Sequence, residues 1–287
     1  VGNSGNQDIK PLKLLDEFGI RWSASGEGVW NNSRFLSKLP AQGDEARHSL
    51  FSANAVNDCD TRMFFRDDGL SDLIGFEYQQ WDAVDAAADF NQHLANIGSY
   101  LGDRRDRHVV SVILDGENAW EYYPDNAFHF LGALYEQLAQ SDEVELLTFT
   151  EALDRCPAEP LPDLCPGSWV YGSFSTWIGD SDKNRAWDLL IDAKHSYDRA
   201  LETRRFNKKK LQRLARQLAI CEGSDWFWWF GDYNPADSVS DFDRLYRQQL
   251  RNLYAMLDLP IPANLEQPIS TGGGDAENSG TMRRGHG

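Results

Sequence analysis

The sequence predicts an α/β fold followed by an all-helical domain. Three observations carry that reading. Short apolar runs alternate with helix-like stretches over the first half of the chain. Residues 109–114 are almost wholly β-branched or aliphatic, as in a parallel strand buried on both faces. Beyond a proline-rich loop the hydrophobic period becomes purely helical.

In chain order, residues 11–18 read as a helix and 20–24 as a short strand. Leu73, Ile74 and Phe76 mark a second apolar run. It precedes a helix over 81–101, with Val84, Ala87, Leu94, Ile97 and Leu101 on one face. After the 109–114 strand comes a helix carrying Phe128, Leu131, Tyr135 and Leu138 at helical spacing, and then a strand over 144–148. This alternation builds an α/β barrel or a doubly wound sheet. Pro157, Pro160, Pro162 and Pro166 break any regular element across 156–168. Residues 186–201, 208–220 and 241–257 then read as amphipathic helices. Leu211, Leu214, Ala215 and Leu218 form the stripe of the second, and Phe242, Tyr246, Leu250, Leu253 and Leu257 align in the third. Ser240 is its expected N-cap, with Asp243 at N3. The expected organisation is an α/β part over 1–155, a connection and groove loop over 156–185, a helical domain over 186–269 and a glycine-rich, disordered tail over 270–287.

Composition narrows the function. With 28 basic against 45 acidic residues, the 287-residue chain carries a formal charge of −17. Nucleic acid and anionic membrane surfaces are therefore not expected partners, because both are recognised by clustered Lys and Arg. The basic run at 204–210 reads as a solvated helix junction. No run of about 18 apolar residues encodes a membrane span. The first residues show neither a charged nor an apolar leader region, so a cytoplasmic location is expected. The 4 Cys are too scattered for a disulfide framework, and Cys156 and Cys165 are expected as reduced thiols. With no CxxC and no cluster of His, neither a metal nor a cofactor is expected. The 10 Trp and 10 Tyr are many for this length; flat amphipathic rings suit a sugar-binding groove as well as a core.

The most informative segment, Leu114-Asp115-Gly116-Glu117-Asn118-Ala119-Trp120-Glu121-Tyr122-Tyr123, follows directly on the 109–114 run. In parallel α/β folds, residues leaving the carboxyl ends of strands line the ligand face. Two carboxylates, an amide and a Trp emerge there together. Burying a carboxyl raises its pKa, as a general acid requires near neutral pH. Helix capping is the alternative role for such an Asp or Glu.

LDGENAWEYY resembles the fourth signature region of glycoside hydrolase family 57, the α-amylase and amylopullulanase group. Three further stretches resemble that family in the same order: residues 64–76 (FFRDDGLSDLIGF), residues 173–187 (SFSTWIGD, then NRAW) and residues 222–232 (EGSDWFWWFGD). The resemblance covers roughly residues 12–269. It implies the last strands of an incomplete (β/α)7-type barrel ahead of the helical domain. It also implies retaining hydrolysis of α-glucans such as starch or glycogen by two carboxyl groups, with Asp115 as general acid/base. The family's nucleophile Glu, in a segment resembling WPSEG, has no counterpart here, since no Glu precedes Glu17. The expectation is therefore the C-terminal part of a catalytic region, inactive as this chain, its unusual tail marking a gene fragment or a disrupted reading frame. Two alternatives stay open: a non-catalytic glucan-binding remnant, and a 4-α-glucanotransferase or branching enzyme of the same family.

Further candidates have weaker claims. Glu27 lies in a stretch resembling the family's TDEGVL, with Gly26 where Asp is usual; it touches substrate or is a loop carboxylate. Arg66 and Asp67 pair with each other or orient a catalytic group. Glu117 is a second carboxylate of the main motif. Trp120 and Trp177 stack on glucosyl rings or pack in the core. Trp226 belongs with Trp228 and Trp229 to a run that cannot all face one way, so at least one is expected in the groove. Asp232 closes the same motif.

Overall fold

The computed structural model describes residues 10–40, 47–116 and 119–285. The chain divides into two units, Val1–Phe174 with Met282–Gly287, and Ser175–Thr281.

In the first unit, four strands form one sheet in the order β1-β3-β2-β4: β1 (Trp22–Ser25), β2 (Ala53–Ala55), β3 (Arg62–Phe65) and β4 (Ala158–Pro160). β1 runs parallel to β3 with Ser25 opposite Phe65, while β2 is antiparallel to β3 and parallel to β4. The period-two geometry of a strand splits β3 between two clusters. Met63 and Phe65 pack with Leu12, Trp30, Leu50 and Leu161; Phe64 packs on the other face with Ala53 and Ala152.

Helices surround this sheet. α1 (Lys10–Glu17) buries Leu12, and α2 (Glu27–Leu36), which follows β1, buries Val29 and Trp30. α3 (Asp68–Asp72) follows β3 and passes into a π-helical turn, Leu73–Glu77. α4 (Ala83–Leu101) is capped by Asp82 and packs its Ala86, Ala87 and Phe90 with Phe130, Leu134 and Leu138 of α5 (Phe128–Gln140). The turn into α5 holds Asp125, Asn126 and Ala127 at φ of 51°, 51° and 62°, a left-handed run that L residues rarely adopt. α6 (Phe149–Arg155) starts at a capping box between Thr148 and Glu151.

The mixed α/β class holds, but two expected strands are not strands. Residues 109–114 take no ladder position, because both flanks of β3 are already occupied by β1 and β2. Their polar groups bond singly instead. Val109 N–H donates to Phe51 O at 2.9 Å, and Ser111 O accepts from Asp67 N–H at 2.9 Å. Ile113 N–H donates to Ser71 Oγ at 3.2 Å. Residues 144–148 run straight into α6, with Thr148 used as its cap. The stripe of α5 also differs: Phe128 and Tyr135 are exposed, and Phe130 and Leu134 take the core with Leu138.

The second unit is helical. It comprises α7 (Ser181–Thr203), α8 (Lys208–Cys221), α9 (Asp225–Trp229) and α10 (Ala236–Met256). Leu189, Leu190, Leu214, Leu218, Phe227, Tyr246, Leu250 and Leu253 form its core. Phe227 stacks on Trp187 with centroids 3.9 Å apart. Asp180 caps α7 and Asn207 caps α8. Of the stripe expected on α8, Leu214 and Leu218 are buried, whereas Leu211 is exposed. α10 begins at Ala236 after Pro235, so Ser240 lies inside the helix rather than at its cap.

Residues 270–281, expected to be disordered, have definite partners within this unit. Ser270 Oγ accepts from Gly231 N–H at 3.0 Å, and Gly273 and Gly274 N–H both donate to Asn234 O at 3.0 Å. Trp228 Nε1 donates to Gly280 O at 2.8 Å. Small residues allow this: a Cβ at Gly272, whose φ is +67°, would press on Val239. Among the described residues, no helix is long and apolar enough to cross a membrane.

Candidate functional site

The register of the sheet assembles the site. With Ser25 opposite Phe65 in parallel strands, the residues that follow leave the sheet side by side, and Arg66 N–H donates to Ser25 O at 2.9 Å. Two residues further on, Glu27 and Asp67 both turn into helices. The amide of Asp68 donates to Glu27 Oε2 at 3.3 Å. These are carboxyl ends of parallel strands, where α/β folds place ligands.

Arg66 is the centre of the cluster and is buried. Its Nε donates to Ile113 O at 2.9 Å, its Nη1 to Asp68 Oδ1 at 2.8 Å and its Nη2 to Asp72 Oδ1 at 2.6 Å. The guanidinium also lies 5.5 Å from the ring centre of Trp169. The rigid fork thus ties the end of β3, α3, the 109–114 segment and the loop at 169 into one body.

Arg66 and Asp67 do not pair with each other. Asp67 is the N-cap of α3, its Oδ1 accepting from Leu70 N–H at 2.8 Å. Its other oxygen lies 3.9 Å from Arg47 Nη2, which is also 3.8 Å from Glu27 Oε1. Burial holds the Glu27 carboxyl above its ordinary range. Asp67 and Asp68 push the same way, while Arg47 and the Asp68 amide oppose.

Asp115 lies half-buried at the end of the 109–114 segment and lines a cavity of about 120 Å³. Ser25, Arg66, Phe76, Leu114 and Trp169 line it too. The result is a carboxyl group against apolar walls, next to a buried guanidinium and an indole. Such a setting can place a carboxyl group and a flat sugar face side by side. Gly26 lets Trp169 approach: a Cβ at Gly26 would lie 2.5 Å from the Trp169 carbonyl oxygen. The residue that departs from the resembled TDEGVL pattern is therefore the one that admits the Trp169 backbone.

The other candidates separate. Glu117 lies outside the described residues. Trp120 belongs to the α4–α5 core cluster, edge-on to Tyr123 at 5.7 Å. Trp177, Trp226 and Asp232 are in the second unit. There, Trp177 O accepts from Trp187 Nε1 at 2.9 Å, Trp226 Nε1 donates to Ile220 O at 2.8 Å, and Asp232 is exposed in a turn. Among the described residues, no group of three His, Cys, Asp or Glu is arranged to hold a metal.

Asp68, Asp72, Arg47 and Trp169 belong to the cluster and were not singled out in the sequence. The first two carried a signal, since a buried arginine needs carboxylates and Asp68 and Asp72 share a helix face at i, i+4. Arg47 and Trp169 meet the site from distant segments, and only Gly26, which needs a close neighbour, hints at the second.

No curated protein matches the chain. Among solved structures, a family 57 branching enzyme from the hyperthermophilic archaeon Thermococcus kodakaraensis, in complex with glucose and additives, superposes with a TM-score of 0.59 at 16% identity, over 85% of this chain and 52% of that one. A branching enzyme of the same type from Pyrococcus horikoshii gives 0.55 at 14% identity, over 92% of this chain and 60% of that one. The chain thus spans just over half the length of the first and three fifths of the second, and at such identities the likeness is one of fold. The sequence model described as glycosyl hydrolase family 57 matches residues 8–164. That stretch is more than half of the 287 residues and contains β1, β3, Arg66 and Asp115, so the chain belongs to glycosyl hydrolase family 57.

Proposed function

We propose that the chain carries the general acid/base, Asp115, of two-carboxyl, retaining glycosidic chemistry on α-glucans, with no counterpart among its residues for the family's nucleophile Glu. The observation that supports this is the placement of Asp115 in an apolar-walled cavity beside Arg66 and Trp169, at the strand ends of a family 57 fold. Retaining chemistry needs a second carboxylate about 5–5.5 Å from the first. Glu27 is a carboxylate of this cluster, and its Arg47 and amide partners suit a group that holds substrate. Trp169 supplies a ring beside Asp115 for a glucosyl face, and Trp177 and Trp226 are separate candidates for sugar stacking within the second unit. A reducing, cytoplasmic setting, in which cysteine thiols stay reduced, completes this reading.

The test is turnover of amylose with and without Asp115→Asn, in the longest form of the protein that is active. Loss of leaving-group protonation is expected to lower kcat by roughly 10²–10⁴-fold. An unchanged kcat would remove Asp115 from this role.

A second reading, transfer to a sugar acceptor, is favoured by the two branching-enzyme neighbours. It shares the acid/base step and differs in what excludes water. Hydrolysis of amylose raises reducing ends. Branching lowers the iodine stain without doing so and makes the product sensitive to a debranching enzyme. Retention on insoluble starch with neither change would indicate a binding module alone.

A further inference from the structure

Residues 282–285 lie in the first unit, against the cluster around Arg66 and Asp115. Met282 is buried, and Met282 and Arg283 line the same cavity as Asp115, Arg66 and Trp169. Arg284 donates to Glu77 at 2.8 Å and sits 4.7 Å from the ring centre of Phe76, another wall of that cavity. Gly285 N–H donates to the Asp72 carboxylate, 3.1 and 3.3 Å from its two oxygens, and Gly285 O accepts from Tyr171 N–H at 3.4 Å. Tyr171 makes this bond from a left-handed backbone, φ 57°, a conformation that costs an L residue energy unless its surroundings hold it. Only glycine fits at 285, because a Cβ there would collide with the Asp68 carboxylate. Arg284 thus meets Glu77, and the Gly285 amide meets Asp72, in a chain of net charge −17.

We propose that residues 282–285 are a cis-acting occupant of the candidate active site, an autoinhibitory segment that competes with glucan for the cavity beside Asp115. The competition rests on the glucan-acting reading; the seat itself rests on the contacts above. A segment bound most of the time lowers the apparent affinity of a competitor by the fraction of molecules in which it is displaced. The Arg284–Glu77 ion pair is part-exposed, so added salt weakens that contact.

The experiment measures maltoheptaose binding to the full chain, to a chain ending at Thr281, and to the full-length Arg284→Glu variant, which opposes Glu77 with a like charge. A labelled peptide of sequence MRRGHG is titrated into the shortened chain in parallel. The expected result is maltoheptaose affinity at least about fivefold higher in both altered chains. The peptide is expected to bind the shortened chain, more weakly as salt rises, and to compete with maltoheptaose. Equal affinities in all three chains, or a peptide that binds without competing, would overturn the proposal. If no form binds maltoheptaose but the peptide still binds, the glucan reading fails and takes the competition with it. If maltoheptaose binds and the peptide does not, the seat fails and the glucan reading stands.

Discussion

Replacing Arg66 by Met is the sharpest test of how the site is held. The change removes three donated bonds, to Ile113 O at 2.9 Å, Asp68 at 2.8 Å and Asp72 at 2.6 Å. It leaves the stem volume nearly filled. Asp68 is fully buried and Asp72 is 9% exposed, so both carboxylates lose their cation inside the protein. Breaking a buried ion pair from one side costs roughly 3–5 kcal/mol. At about 2–4 °C per kcal/mol for a unit of this size, that is a fall in Tm of roughly 6–20 °C. Arg66→Lys keeps the charge but replaces a planar fork with a point, so it is expected to fall between wild type and Met. Urea titration read by tryptophan fluorescence and calorimetry both measure the loss. The decisive control is Asp68→Asn with Asp72→Asn in the Arg66→Met background. It removes the stranded charges and should recover a large part of the stability, as a cycle of coupled residues does. A loss below about 1 kcal/mol for Arg66→Met, or no recovery in the triple variant, would refute the idea that Arg66 neutralises this cluster.

Other expected outcomes follow from the same geometry. The folded Glu27 carboxyl titrates above its unfolded value, so in that window the native state holds more protons and this group's stabilisation is lost as pH rises through the folded pKa. Glu27→Gln should flatten that part of the stability profile, gaining on wild type between acid and neutral pH; urea midpoints that stay parallel across pH would contradict this. Gly26→Asp puts a side chain where the Trp169 carbonyl now lies, 2.5 Å from the added Cβ. It should cost roughly 1–3 kcal/mol and shift tryptophan emission as the 169 loop moves; an unperturbed spectrum would deny the close approach. Phe227→Ala, at the centre of the second unit, removes a fully buried ring stacked on Trp187 and should cost roughly 3–5 kcal/mol by denaturant titration. A cost under about 1 kcal/mol would mean that this core relaxes around the gap.

Local periodicity was the readable part of the fold. The amphipathic stripes of α8 and α10 and the long run of α4 show in the sequence because one face of each meets a core. Phase was harder to read than period. In FHFLGALYEQL two apolar stripes compete, and tertiary contact with α4 selects Phe130 and Leu134 over Phe128 and Tyr135. β-branched runs measure burial rather than strand pairing. Val110, Val112 and Leu114 lie half-buried against the α4–α5 core cluster, yet no open flank of β3 was left for this run. The glycine-rich stretch 270–281 differs from the expectation for a related reason: composition describes the chain alone, not the backbone carbonyl of Asn234 that receives it. At the site, Asp115 and Glu27 were legible because both follow strand-like runs. Arg47 and Trp169 were not, because the register of β1 and β3 and the glycine at 26 bring them in from far along the chain.

The segment 109–114 also matters to the chain outside its native state. VVSVIL is a six-residue run of high β-propensity without charge, Pro or Gly, the composition that assembles into cross-β stacks. In the native unit it is held by single hydrogen bonds to Phe51, Asp67, Ser71 and Arg66 rather than by a ladder. Partial opening near the site therefore releases a sticky strand with unsatisfied amides. What then keeps copies apart is the shared charge of −17, a repulsion that reaches only about 8 Å at physiological ionic strength. The conditions that weaken the Arg66 cluster thus also set solubility. Preparations of this protein should stay clear at low salt and form fibrillar precipitate, positive for thioflavin T, when warmed in high salt.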